Sequence, residues 1–143
     1  MSDIQEPSGQ ATAPRKVLIV DDTFSSRQLL ARMLNQVARL VIHEARDGDS
    51  AVAQYQRMRP QITFLDIDMP NKNGMDVLKE IRALDPSAYV VMVSAAGSID
   101  TVQAALALGV GGFVVKPFSE RRILDVMRKY AAECGDASLL VGA

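Results

Sequence analysis

Four hydrophobic runs in this chain each lead into residues able to hold or transfer charge. Val17-Leu18-Ile19-Val20 leads into Asp21 and Asp22, and Ile62-Thr63-Phe64-Leu65 leads into Asp66. Val90-Val91-Met92-Val93 leads into Ser94, and Phe113-Val114-Val115 leads into Lys116 and Pro117. If these runs are neighbouring parallel strands, carboxylates, a hydroxyl and an ammonium gather at one edge of a sheet. At an effective dielectric of about 20, two unit charges about 4 Å apart repel by about 4 kcal/mol. Three carboxylates facing one lysine therefore leave an excess of negative charge and raised proton affinity. A divalent cation removes that conflict. With no cysteine or second histidine nearby, the all-oxygen donor set points to Mg2+ or Mn2+ over Zn2+. A hard cation with open positions draws in phosphate oxygens, which Lys116 would meet with positive charge and Ser94 with a neutral donor. With Asp66 as nucleophile, these are the parts for phosphoryl transfer to a carboxylate.

The elements that must position these groups follow from hydrophobic periodicity. Met1 to Arg15 is polar, contains Pro7, Gly9 and Pro14, and is expected to be a flexible arm. Val17 to Val20 reads as a strand, and Thr23 to Ala38 as a helix with apolar positions Phe24, Leu30, Leu34 and Val37. Leu40 to Ala45 is a more mixed strand, followed by a helix opening at 47–50 with Asp49 as its N-cap. Strands at Ile62 to Leu65 and Tyr89 to Val93 flank a helix from Gly74 to Leu84 that Asp85-Pro86 stops. A helix from Ser98 to Leu108 ends at Gly109, a short strand covers Phe113 to Val115, and Ser119 caps a last helix reaching Ala132.

Alternating strands and helices predict an α/β fold, a doubly wound five-stranded parallel sheet with helices on both faces. The first, third and fourth strands are unbroken apolar runs suited to burial on both sides, and the second and fifth suit edges. The simplest order is 2-1-3-4-5, which opens a ligand crevice at the carboxyl ends of the first and third strands. Asp21, Asp22 and Asp66 fall there.

Bulk properties bound the rest. A chain of 143 residues, 48% hydrophobic and 23% charged, fits one soluble domain. With 16 basic against 17 acidic residues, the net charge of −1 advertises neither nucleic acid nor an anionic membrane. A single cysteine, Cys134, fits a reducing compartment, and no apolar run reaches the roughly 20 residues of a membrane helix. A cytoplasmic location is the expectation.

Four motifs in order, the acidic pair Asp21-Asp22, the turn Asp66-x-x-Met69-Pro70, the hydroxyl of Ser94 and Lys116-Pro117, carry a family resemblance. The chain resembles the receiver domain of two-component response regulators, particularly the single-domain chemotaxis type, from about Lys16 to Ala132. Residues 133–143 are left as a short tail. The resemblance itself implies the 2-1-3-4-5 flavodoxin-like sheet. It also implies that Asp66 takes a phosphoryl group from a sensor histidine kinase or phosphotransfer protein in a Mg2+-dependent reaction. Asp22 and Asp66 would hold Mg2+ directly, Asp21 largely through water, and the Asp68 backbone carbonyl would complete the site. Lys116 would pair with the phosphoryl group across a cis Lys116-Pro117 bond, Ser94 would move to hydrogen-bond it, and Phe113 matches the switch aromatic. The surface of the fourth helix, fifth strand and fifth helix would then meet a downstream protein, and could support a weak dimer.

Departures from the family pattern carry their own expectations. Ser94 stands where threonine is commoner, and Phe113 lacks the phenol of the frequent tyrosine. Gly111-Gly112 should loosen the turn before the last strand, and Asp68 adds negative charge at the mouth of the site. Elsewhere ordinary readings are preferred. His43 reads as a satisfied structural side chain and Cys134 as a residue beyond the last helix. Met69, Met75 and Met92 read as turn and core fillers, and Arg121-Arg122 and Arg128-Lys129 as a solvated helix face.

Two rivals share some of these parts. A haloacid-dehalogenase-type phosphatase also uses an Asp-x-Asp turn, but it begins with that turn, whereas here the acidic pair comes first. A receiver cut from a longer transcriptional regulator is the other; residues 133–143 are too few for a DNA-binding domain. Within them, Leu139-Leu140-Val141 is a docking tail, a linker remnant or a frayed end.

Overall fold

The computed structural model describes residues 14–95 and 97–141. Strands β1 (Arg15–Val20), β2 (Leu40–Ala45), β3 (Ile62–Asp66), β4 (Val90–Ser94) and β5 (Gly112–Val115) form one parallel sheet in the order β2-β1-β3-β4-β5. This is the order expected from the sequence. Helices α1 (Phe24–Val37), α2 (Gly48–Met58), α3 (Gly74–Leu84), α4 (Ile99–Ala107) and α5 (Glu120–Cys134) connect or follow the strands. Among the described residues, no helix is long and apolar enough to cross a membrane.

The unbroken apolar runs are explained by two cores. Val17, Ile19, Ile62, Phe64, Val91 and Val93 face α1 and α5, while Leu18, Val20, Leu65, Val90 and Met92 face α2, α3 and α4. Successive side chains on a strand point to opposite faces, so a strand covered on both sides must be apolar at every position. The edge strands escape that demand: Val41 and His43 on β2, and Val115 on β5, are exposed. His43 thus lies on the solvent side of an edge strand. Thr63, buried in the middle of β3, keeps a hydroxyl with no hydrogen-bond partner.

The helix ends obey local chemistry with one correction. Asp47 caps α2, not Asp49: its carboxylate accepts the Ser50 N–H at 2.8 Å, a bond that holds its pKa below the usual carboxylate value. Asp49 lies one residue inside the helix and pairs instead with Lys72 at 3.2 Å. Asn73, Ser98 and Ser119 cap α3, α4 and α5. Phe24 opens α1 exposed to solvent, outside the buried stripe of Leu30 and Leu34, with the Arg27 guanidinium 5.6 Å from its ring centre.

The far pole of the sheet, at the strand amino ends, is fastened by side chains on backbone carbonyls. Arg82 of α3 donates to Leu108 O at 2.8 Å and Gly109 O at 2.5 Å, and also reaches the carbonyls of Pro86 and Ala88. Tyr89 fills the space over Gly111, where a Cβ would come 2.5 Å from its Cε1, so the close approach of the ring requires glycine there. Lys129 donates to Gly111 O at 2.6 Å and Arg122 to Phe113 O at 2.7 Å. The basic residues of α5 are solvent-exposed, as expected, yet two of them tie the helix to β5.

Both ends of the described chain are corrected in detail. Of the expected arm, residues 1–13 lie outside the described residues, while Arg15 already belongs to β1. Helix α5 runs on to Cys134, which is therefore inside the helix, and Gly135 ends it with φ 69°. A 3-10 turn, Ala137–Leu139, then buries Leu139 against the α1 and α5 core. Arg39 donates its N–H to Leu139 O at 2.8 Å, and Val141 donates to Val37 O at 2.8 Å. Arg15 pairs with Asp136 at 3.1 Å and stacks 5.8 Å from the Tyr130 ring centre. Leu139 is thus packed on the domain, Leu140 lies partly buried beside it, and Val141 is exposed.

Candidate functional site

The parallel register decides which side chains meet. Val20 lies beside Ala45 and Leu65, Asp66 beside Val93, and Ser94 beside Val115, so the strands end level with one another. Asp21, Asp66, Ser94 and Lys116 are delivered to that edge. The loop after β3 folds back beneath it because residue 74 is glycine: a Cβ there would come 2.7 Å from the Ile67 Cα. The Gly74 N–H instead donates to Ile67 O at 3.0 Å.

Asp21, Asp22 and Asp66 each offer an oxygen, all within 4.8 Å of one another. Asp21 and Asp66 are buried and Asp22 is exposed. Such a hard, open-sided oxygen set fits a small divalent cation. Lys116 Nζ sits 2.8 Å from Asp21 Oδ2 and 3.6 Å from Asp66 Oδ2. The peptide between Lys116 and Pro117 is cis. Asp66 Oδ1 accepts the Asp68 N–H at 3.1 Å. Burial pushes the Asp66 carboxyl up to about 6, the charges of Asp21 and Asp68 adding to it and the Asp68 N–H and Lys116 opposing. Burial acts to lower the Lys116 pKa, but its bonds and attraction to Asp21 and Asp66 leave it raised.

Sequence reasoning missed the support beneath this cluster. Asp21 Oδ1 accepts the Thr23 N–H at 2.8 Å, which ties the carboxylate to the start of α1. Arg27 donates to the Asp21 carbonyl at 2.8 Å and to Glu44 Oε1 at 2.7 Å, joining α1, the acidic turn and β2. Its position on the first turn of α1 was the available signal. Also unforeseen is the placement of the Asp68 side chain, whose Oδ2 accepts the Ser94 hydroxyl at 3.0 Å and the Ala95 N–H at 3.0 Å. Phe113 is half-buried, with its ring near Gly97 in the loop after β4.

With the geometry assembled, kinship can be read. The family model described as the response regulator receiver domain matches residues 17–128. The chain belongs to the response regulator receiver family. The chemotaxis protein CheY of Thermotoga maritima is 37% identical over 115 residues, which span 80% of this chain and 96% of that one. Among solved structures, the Vibrio cholerae chemotaxis protein CheY4 is 30% identical with a TM-score of 0.76, covering 82% of this chain and 98% of the other. The Borrelia burgdorferi CheX-CheY-BeF3-Mg2+ complex provides a chain 31% identical, with a TM-score of 0.75 and coverage of 85% and 90%. This receiver shares with those proteins a flavodoxin-like sheet and a place in response-regulator signalling. The family match also answers the phosphatase rival.

Proposed function

We propose that this receiver is switched by phosphorylation of Asp66. The observation that carries the reading is the position of the Lys116 ammonium, within 3.6 Å of Asp66 and 2.8 Å of Asp21, beside the three clustered carboxylates. An ionised Asp66 oxygen attacks phosphorus, the P–N bond of a phosphohistidine on a sensor kinase or phosphotransfer protein breaks, and an acyl phosphate remains. Lys116 then offsets the added charge, and Ser94 and Ala95 offer donors from the neighbouring strand end. Asp22 and Asp66 would hold Mg2+ directly, Asp21 would act through water, and the Asp68 carbonyl would supply a further oxygen. A cation held there would neutralise the carboxylates and supply positions for phosphate oxygens, and Mn2+ has the same ligand preference. The same groups promote loss of the phosphoryl group to water.

The output is the α4-β5-α5 surface, reached through Ser94 and Phe113. Ile99 and Leu106 on α4 and Val115 on β5 are exposed at 74%, 56% and 48%, an apolar set suited to a protein partner or to a weak dimer. Acetyl phosphate with Mg2+ should add one phosphoryl group per chain by intact mass, and Asp66→Asn should add none. Equal labelling of that variant, or sustained turnover of a phosphate ester without stable label, would defeat the reading.

A further inference from the structure

Two hydrogen-bond donors beside Asp66 are held by an anion built into the chain. The Ser94 hydroxyl and the Ala95 N–H lie one and two residues past Val93, the residue that Asp66 pairs with in the sheet register. Both point to one oxygen, Asp68 Oδ2, at 3.0 Å each. This is not the short-range bonding common in turns, where an aspartate accepts from a residue two or three positions onward. It reaches across to the neighbouring strand end, 26 and 27 residues away in sequence. The Asp68 N–H bond to Asp66 Oδ1, at 3.1 Å, fixes the turn that aims the side chain.

A carboxylate oxygen and a phosphoryl oxygen ask for the same partners, an O–H and an N–H in converging directions. A phosphoryl group on Asp66 would need this edge of the pocket, and its charge would repel a carboxylate already there. We infer that Asp68 is an internal competitor for the phosphoryl group: it holds Ser94 and Ala95 in the unphosphorylated arrangement and must be displaced for the switch to occur. It is a positioning residue, acting through Ser94 and Ala95. The inference rests on the reading of Asp66 as the phosphoryl acceptor, and Asp68 adds a threshold to it. Because the Asp68 side chain is exposed at the rim, its replacement leaves the two cores untouched.

The test uses the full chain with Asp68→Ala and Asp68→Asn, read in two ways. Amide NMR without metal or phosphate analogue reports the bond itself: the Ala95 proton should move upfield in Asp68→Ala. Titration with beryllofluoride in excess Mg2+ reports the competition. Apparent affinity should rise about tenfold in Asp68→Ala, with Asp68→Asn between it and the parent because an amide keeps an acceptor oxygen without the charge. An unmoved Ala95 resonance would overturn the proposal, as would a shifted resonance with equal beryllofluoride affinity in all three proteins. If none of the three takes up beryllofluoride, the phosphorylation reading fails and the competition with it, a result separate from the Ala95 shift.

Discussion

A carboxyl group set under the edge of a sheet holds its proton more tightly than one in water, and Asp66, with 2% of its surface exposed, does so. Its ordinary value of 3.8 is raised to about 6, so the folded state without metal binds this proton more strongly than the unfolded chain. The sign follows: the contribution of Asp66 to stability is greatest below about 4 and declines as pH rises through about 6. Asp66→Asn should remove that decline and raise metal-free stability at neutral pH by on the order of 2 kcal/mol. Urea unfolding at pH 5 and pH 7.5 checks it; equal pH dependence in parent and variant would refute the assignment. Thr63 is a simpler case. Its buried hydroxyl lacks a partner, so the near-isosteric Thr63→Val should stabilise by about 1 kcal/mol, read as a higher urea midpoint at constant slope.

At the scale of elements, the sequence was most legible where one physical demand dominated. Strands β1, β3 and β4 announced themselves because burial on both faces leaves no room for polar alternation; the ends of β1 and β3 delivered Asp21, Asp22 and Asp66, and the end of the edge strand β5 delivered Lys116. What stayed hidden depends on long-range choices between groups of similar chemistry. Asp47 and Asp49 can both cap a helix, and only backbone entry selected Asp47. The Asp68 side chain could have faced solvent or β4, and only the fold brings Ala95 within its reach. Arg82 likewise gives no local signal of its four carbonyl partners, yet it fastens the end of α3 to that of α4. Arg82→Met should keep the buried stem, cost about 1–3 kcal/mol, and speed hydrogen exchange at 108–111; unchanged exchange there would remove the fastening role.

For the molecule as a whole, cation binding at the carboxylates and packing of Leu139 should be separable contributions to stability at opposite poles. Mg2+ at ten times its dissociation constant should stabilise the fold by about 1.4 kcal/mol, seen as a rise in melting temperature that Asp66→Asn diminishes. No rise with saturating Mg2+ would speak against the cation site. Leu139→Ala should cost about 2–4 kcal/mol, because it leaves a void against α1 and α5, while the Mg2+-dependent rise persists.

The same tail has a practical consequence. Arg15 reaches Asp136, and Val141 donates to Val37 O at the end of α1, so the two ends of the described residues lie near one another. They leave from the pole where the strands begin, about 20 Å from the acidic cluster by the rise of a six-residue strand. A label placed at either end of the described residues, at position 15 or 141, therefore starts from the pole away from the clustered carboxylates.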